Sequence, residues 1–166
     1  FISHVSSARP KIADYPFTTL VPNLGVVRWK GTDFVVADIP GLIEGAHRGA
    51  GLGIRFLRHV ERTRVLVHLI DAAAIDPQAP LAAFDAVNAE LALYSPSLAR
   101  KPQLIALNKL DLPEAEQHAH VFQRALKRRC KVHLVSAATG KGIAPLLSAI
   151  GRRLDELSHE SPSDSH

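Results

Sequence analysis

The chain contains no methionine, a single cysteine and few aromatic residues, 5% of its 166 positions. With Cys130 as the lone thiol no internal disulfide can form, so the fold has to rest on an apolar core. A lone thiol also agrees with a reducing compartment, and Cys130, beside Arg128, Arg129 and Lys131, reads as incidental. No run approaches the roughly 20 apolar residues that a membrane span requires. Nor does the start carry a basic segment followed by an apolar stretch and a cleavage site. The protein is therefore expected to be cytoplasmic, with no membrane span. The missing methionine implies that Phe1 is not a translation start and that the chain is a fragment. Nine histidines raise the question of metal, yet His118 and His120 stand two apart and point in different directions on a helix, so no zinc site is proposed.

Against these absences, 46% hydrophobic content over 166 residues suffices for one domain with a real core. The formal charge is +4, with local density at Arg55 to Arg64 and at Lys127 to Lys131. Such patches attract nucleic acid weakly and without sequence preference, or they are simply a solvated face. At the far end, Ser158 to His166 is polar, carries Pro162 and has no apolar period, which reads as a tail or the start of a linker.

Short apolar runs alternate with helix-period segments, the pattern of a parallel sheet covered by helices on both faces. Strands are expected at Gly25 to Lys30, Asp33 to Ala37, Val65 to Ile70, Gln103 to Leu107 and Val132 to Val135. Gly31-Thr32 is a hairpin-type turn, so the first two should pair antiparallel. The later runs are apolar at nearly every position, as in strands buried on both faces. Leu81, Phe84, Val87, Leu91 and Tyr94 share one helical stripe, and Ile143, Leu146, Leu147, Ile150, Leu154 and Leu157 another. A third helix is expected around Pro113 to Arg129, starting with proline and ending in basic residues that complement its dipole. A fourth spans about Gly53 to Arg62.

Ligands bind at strand ends in open α/β sheets, so the residues just after each strand matter most. After QLIAL comes Asn108-Lys109-Leu110-Asp111. A carboxylate at Asp111 can accept from the N1 and N2 donors of guanine, Asn108 can meet N7, and the Lys109 stem can lie over the base. Adenine has no N1 donor and would leave that carboxylate unpaired, so such sites discriminate by about 10⁴ or more. By itself the tetrapeptide serves equally as a helix N-cap at Asp111.

After DFVVA comes Asp38-Ile39-Pro40-Gly41. In phosphoryl-transfer sites a strand-end aspartate holds Mg²⁺, often through water, and a glycine brings its N–H to a terminal phosphate. The same residues could be a plain turn. Gly45, Gly49, Gly51 and Gly53 leave the next stretch free in φ and ψ, as suits a segment ordered by a γ-phosphate, and they do not match the G-x-G-x-x-G spacing. Ser136-Ala137-Ala138-Thr139-Gly140 follows another strand, with small residues whose N–H groups can reach the guanine O6, or it is an ordinary loop. Upstream, Phe17-Thr18-Thr19-Leu20-Val21 lies between Pro16 and Pro22 and can offer a hydroxyl to Mg²⁺, or it is a passive connection.

Each element is weak, but their order and spacing form the layout of a translation-factor-type GTPase domain. The stretches from Pro10 to Gly25, from Ala37 to Ala46 and from Gly49 to Gly53 closely resemble the Obg (CgtA) family of bacterial GTPases. The resemblance runs from Phe1 to about Leu157. It implies an α/β, P-loop NTPase-like fold, a Ras-like G domain whose doubly wound, mostly parallel sheet lacks here its first strand and phosphate-binding loop. Residues 1–157 would be a partial G domain and 158–166 a disordered tail or linker start. It also implies a GTP-binding, slowly GTP-hydrolysing switch that acts in large ribosomal subunit assembly and in growth or stress control. Its partners would be GTP or GDP and the large subunit or its precursor, rRNA and protein, and it would be a monomer.

Carried onto matching residues, Phe17, Thr18, Thr19, Leu20 and Val21 would form switch I, with Thr19 on Mg²⁺. Asp38, Ile39, Pro40 and Gly41 would contact Mg²⁺ and the γ-phosphate, Asp38 through water. Asn108, Lys109, Leu110 and Asp111 would hold guanine together with Ser136, Ala137 and Ala138. K⁺ is an open second cation, although the loop asparagine that accompanies it in related enzymes is missing. Leu42 stands where Ras-like enzymes orient water with glutamine, and an aliphatic side chain cannot do so, so turnover should be slow. No catalytic residue is assigned beyond Thr19 and Gly41 as switch contacts.

In such domains Phe1-Ile2-Ser3 should follow the G-x-x-x-x-G-K-[ST] loop, whose backbone and lysine supply most phosphate contacts. The strand before that loop is central, so its loss should leave two neighbours without a hydrogen-bonding partner. The 166-residue chain alone is accordingly expected to be inactive, binding GTP or folding poorly. The alternative is a non-catalytic ribosome- or RNA-binding module with a degenerate nucleotide site. Adenine-preferring relatives fit less well, because Asp111 completes the guanine tetrapeptide.

Overall fold

Two kinds of strand pattern produce two kinds of sheet. The computed structural model describes residues 11–12, 23–38, 61–127 and 129–160. Strands β1 (Lys11–Ile12), β2 (Asn23–Trp29) and β3 (Thr32–Asp38) form an antiparallel sheet in chain order. Trp29 pairs with Thr32, so the loop is Lys30 and Gly31, both at positive φ (48° and 79°). The turn therefore falls one residue earlier than Gly31-Thr32. The reason is that Thr32 joins the ladder, and positive φ at both central residues matches the right-handed twist of the strands. Alternation then sorts the faces. Val27 and Phe34 point inward as a pair, whereas Val26 opposes Val35 and Arg28 opposes Asp33 on the exposed side.

Strands β4 (Leu66–Asp71), β5 (Gln103–Asn108) and β6 (Val132–Leu134) form a parallel sheet in that order. Helices α1 (Ala82–Tyr94), α2 (Pro96–Ala99), α3 (Ala115–Ala125) and α4 (Ile143–Glu160) fall between and after them. On β5, Ile105 and Leu107 pack with Ala115, Ala119 and Phe122 of α3 on one face. Ala106 of the same strand packs with Ile143, Leu146 and Ile150 of α4 on the other. Both faces of the parallel sheet are thus covered, as the near-continuous apolar runs imply. Phe122 is fully buried and meets Phe84 of α1 edge to face, with centroids 5.9 Å apart.

The two sheets share one core. Val27, Phe34 and Val36 belong to the same apolar cluster as Ala106, Val135 and the inner face of α4. Trp29 lies so close to Gly151 of α4 that a β-carbon there would overlap the indole ring. Among the described residues β3 pairs only with β2 and β4 only with β5. Among the described residues the six strands therefore form two sheets.

Some boundaries shift. Helix α3 ends at Ala125 rather than near Arg129, because Lys127 adopts a left-handed φ of 54°. Helix α4 continues to Glu160, three residues past Leu157. Ser158 accepts a hydrogen bond from Arg64 at 2.8 Å and donates to the Leu154 carbonyl at 2.9 Å, which ties down that last turn. Of the helix expected at Gly53 to Arg62, residues 53–60 lie outside the described residues, and Glu61 and Arg62 form a turn. No described helix is long and apolar enough to cross a membrane.

Candidate functional site

The carboxyl ends of β4 and β5 are level with each other, with Asp71 beside Asn108 in the parallel register. Just beyond them the chain turns sharply, since Lys109 takes a φ of 68° and Leu112 N–H bonds back to its carbonyl at 2.9 Å. Two segments far apart in sequence are stitched together there. The Asn108 side-chain oxygen accepts from Ala137 N–H at 2.9 Å, and the Asp111 carboxylate accepts from the Ser136 hydroxyl at 2.7 Å. Leu110 N–H bonds the Val135 carbonyl at 3.2 Å, while the Leu110 side chain packs on the core under α3.

This geometry speaks against the helix-cap reading of the tetrapeptide. Helix α3 begins at Ala115 with Glu114 at its cap position and no side-chain capping bond. Asp111 lies upstream of that cap and spends one oxygen on Ser136, so it is not the N-cap. Ser136 is buried, and its hydroxyl also accepts from Thr139 N–H at 3.2 Å. The segment from Ser136 to Gly140 is therefore a braced turn, closed by Gly140 N–H on the Ser136 carbonyl at 2.8 Å. Ala138 is exposed within it.

A residue that the motif pattern did not mark completes the cluster. Asp71 takes the Lys109 ammonium at 2.6 Å on one oxygen and accepts from Ala73 N–H at 3.0 Å on the other. The bond to Lys109 is the main cause that holds the Asp71 carboxyl below its ordinary range, and the same bond raises Lys109. Lys109 therefore stays charged, and its stem has a fixed anchor. The signal for Asp71 is visible in LVHLID. It is a carboxylate at the end of a strand, the position that singled out Asp38 and Asn108.

Phe17, Thr18, Thr19, Leu20, Val21, Ile39, Pro40 and Gly41 lie outside the described residues. Asp38 closes β3, paired across the ladder with Asn23. Whether Thr19 and Asp38 approach each other is thus not part of the described geometry. Their expected donors, a hydroxyl and a carboxylate, are the hard oxygens that Mg²⁺ takes. Among the described residues no three His, Cys, Asp or Glu side chains gather into a metal-binding group.

A parallel sheet covered on both faces, with a braced Asn-Lys-x-Asp turn at its carboxyl end, defines the class of G domains. A family model described as 50S ribosome-binding GTPase matches residues 1–109, more than half the chain, and the chain belongs to that family. It is similar to GTPase Obg of Anaeromyxobacter sp. (strain K), 63% identical over 157 residues that cover 92% of this chain and 44% of the relative. GTPase Obg of Myxococcus xanthus is 56% identical over 171 residues, covering 98% of this chain and 35% of that protein. The chain thus spans less than half the length of the curated relatives it matches. Among solved structures, the G domain of the T. maritima FeoB iron transporter superposes with a TM-score of 0.63 at 16% identity. It covers 92% of this chain and 87% of that one, a likeness in fold.

Proposed function

We propose that the chain is part of a guanine-nucleotide switch that hydrolyses GTP slowly and acts in assembly of the large ribosomal subunit. Residues 1–157 belong to its G domain, whose last helix runs on to Glu160. One observation carries this reading: Asn108, Lys109 and Asp111 are each held by a partner, Ala137, Asp71 and Ser136, at the carboxyl end of the parallel sheet. Preset acceptors suit a base that presents donors at N1 and N2, because little ordering remains to be done on binding. Asp111 reads the N1 and N2 donors of guanine, Asn108 meets N7 and the Lys109 stem covers the ring. Leu110, Ala137 and Ala138 supply backbone to the same pocket, with Ser136 bracing Asp111.

Thr19 and Asp38 would hold Mg²⁺, Asp38 through water, within a switch that includes Phe17, Thr18, Leu20, Val21, Ile39, Pro40 and Gly41. When bound, the ion offsets charge on the phosphate oxygens. Leu42 cannot orient water, which supports slow turnover. The match to a 50S ribosome-binding GTPase family and the likeness to Obg GTPases support GTP as the substrate and the large subunit as the partner.

Competition against a fluorescent guanine nucleotide, on the full-length protein, tests the reading. GTP should outcompete ATP by about 10⁴. Asp111→Asn should weaken GTP by more than about 100-fold and favour XTP, because xanthine carries an acceptor at C2 that an amide can meet. Equal affinity for GTP and ATP would sink the assignment.

A further inference from the structure

The other end of the parallel sheet carries a cluster of positive charge, Arg124, Lys127, Arg129 and Lys131. Helix α3 runs from the nucleotide end for about 16 Å, at 1.5 Å per residue. Lys127 then turns the chain toward β6. This turn walls an open cavity of about 980 Å³ whose lining includes Arg124, Lys127, Arg129 and Lys131. All four are exposed, no carboxylate is among the described lining residues, and none of the four forms an ion pair with a described residue.

The dipole of α3 accounts for Arg124 and Lys127, which sit where a helix carboxyl end favours cations. It does not account for Arg129 and Lys131, which lie beyond the helix, because that effect fades within the last turn. Four like charges around one hollow repel each other unless something neutralises them. The positive field also reaches the sheet behind. The buried His133 imidazole is held below its usual range by burial first, and then by the charges of Lys131 and Arg152.

We propose that this cleft is a second binding site of the protein, one that grips the phosphate backbone of double-stranded RNA. The lining argues for nucleic acid over an acidic protein. Among its described lining residues the one aliphatic side chain is the half-buried Val132, whereas protein interfaces centre on aromatic or aliphatic anchors. Among the described lining residues the His120 imidazole is the one aromatic ring, so they offer no broad platform on which unpaired bases stack. Charges without a stacking platform hold a duplex by its backbone and read no sequence. The choice of RNA rests on the ribosomal role proposed above. The cleft and the guanine pocket are at opposite ends of α3, so RNA and nucleotide can be held together.

Fluorescence anisotropy of a labelled RNA hairpin with the full-length protein, repeated across salt concentrations, is the test. Lys127→Glu/Lys131→Glu should lower the slope of log K against log salt by about 2 and weaken binding at least tenfold near 0.1 M salt, as expected for two lost phosphate contacts. Lys127→Gln/Lys131→Gln should fall between it and the wild type. Hairpins of unrelated stem sequence should bind alike, and each should bind more tightly than an unpaired strand of equal length. An unchanged slope would overturn the proposal. So would an equal loss in the control Lys30→Glu/Arg62→Glu, or a loss of polyglutamate binding with RNA binding intact. GDP affinity of the same samples should stay constant, which separates failure of the cleft from failure of the guanine reading, since the latter would change nucleotide preference and leave the salt slope alone.

Discussion

The antiparallel β1–β3 sheet and the parallel β4–β6 sheet are held in different ways. Strands β2 and β3 bury one face and leave Val35, Arg28 and Asp33 in solvent. Strand β5 is covered on both sides, with Ile105, Ala106 and Leu107 all buried. The first sheet owes its register to a turn and to alternation. The second owes its place to helices on either face, and it alone presents the braced Asn108 to Asp111 turn. A sheet buried on two sides can hold its strand ends rigidly, which a nucleotide pocket needs.

The largest expected effect breaks the two-sided sheet. Phe122→Ala should destabilise the protein by about 3–5 kcal/mol, because a fully buried ring is lost and a cavity is left between β5 and α3. Thermal or denaturant unfolding would measure it, and a loss below about 1 kcal/mol would show that this face is not the core. A smaller effect should break the docking of the one-sided sheet. Gly151→Ala pushes a methyl group into Trp29 and should cost about 1–3 kcal/mol. Trp29 is the chain's only tryptophan, so its emission reports the contact directly. The cost should shrink in the double variant Trp29→Ala/Gly151→Ala, whereas additive losses would mean that the two do not press on each other.

The smallest effect sharpens the comparison through pH. His68 of β4 stacks on Phe84 with centroids 5.2 Å apart and has a buried Nδ1 with no hydrogen-bond partner. Burial is the main cause that lowers its pKa, opposed by a hydrogen bond to Gln103, and burial lowers that of His133 too. Both thus favour the neutral form when folded, while in the unfolded chain they take up protons near the ordinary histidine value of 6.5. Stability is therefore full above that pH and falls as pH drops through it toward the lower folded values. Unfolding midpoints should decline from pH 7 to pH 5 and decline less in His68→Leu, and an unchanged pH slope in that variant would remove His68 from the account.

Strand positions and helix stripes were legible because both follow from apolar periodicity, a property of neighbours along the chain. The set from Asn108 to Asp111 was legible as a pattern, but its reading was open, since an aspartate ahead of a helix caps it as readily as it binds a base. Only the Ser136 hydroxyl, 25 residues away, removed the capping alternative. Asp71 was passed over because no motif contains it, although its strand-end position obeyed the rule applied elsewhere. The turn at Lys30 was misjudged by one residue because ladder pairing, not glycine alone, sets where a hairpin closes.

What the chain determined by itself was the kind of each element and the chemistry available to it, since backbone preference and side-chain type are local. What only the tertiary structure decided was which of those groups meet. Asp71 holds Lys109 across 38 positions of sequence, and Trp29 covers Gly151 from another sheet. Such meetings depend on how helices close over strands, and that is a matter of packing between distant segments rather than of any one of them.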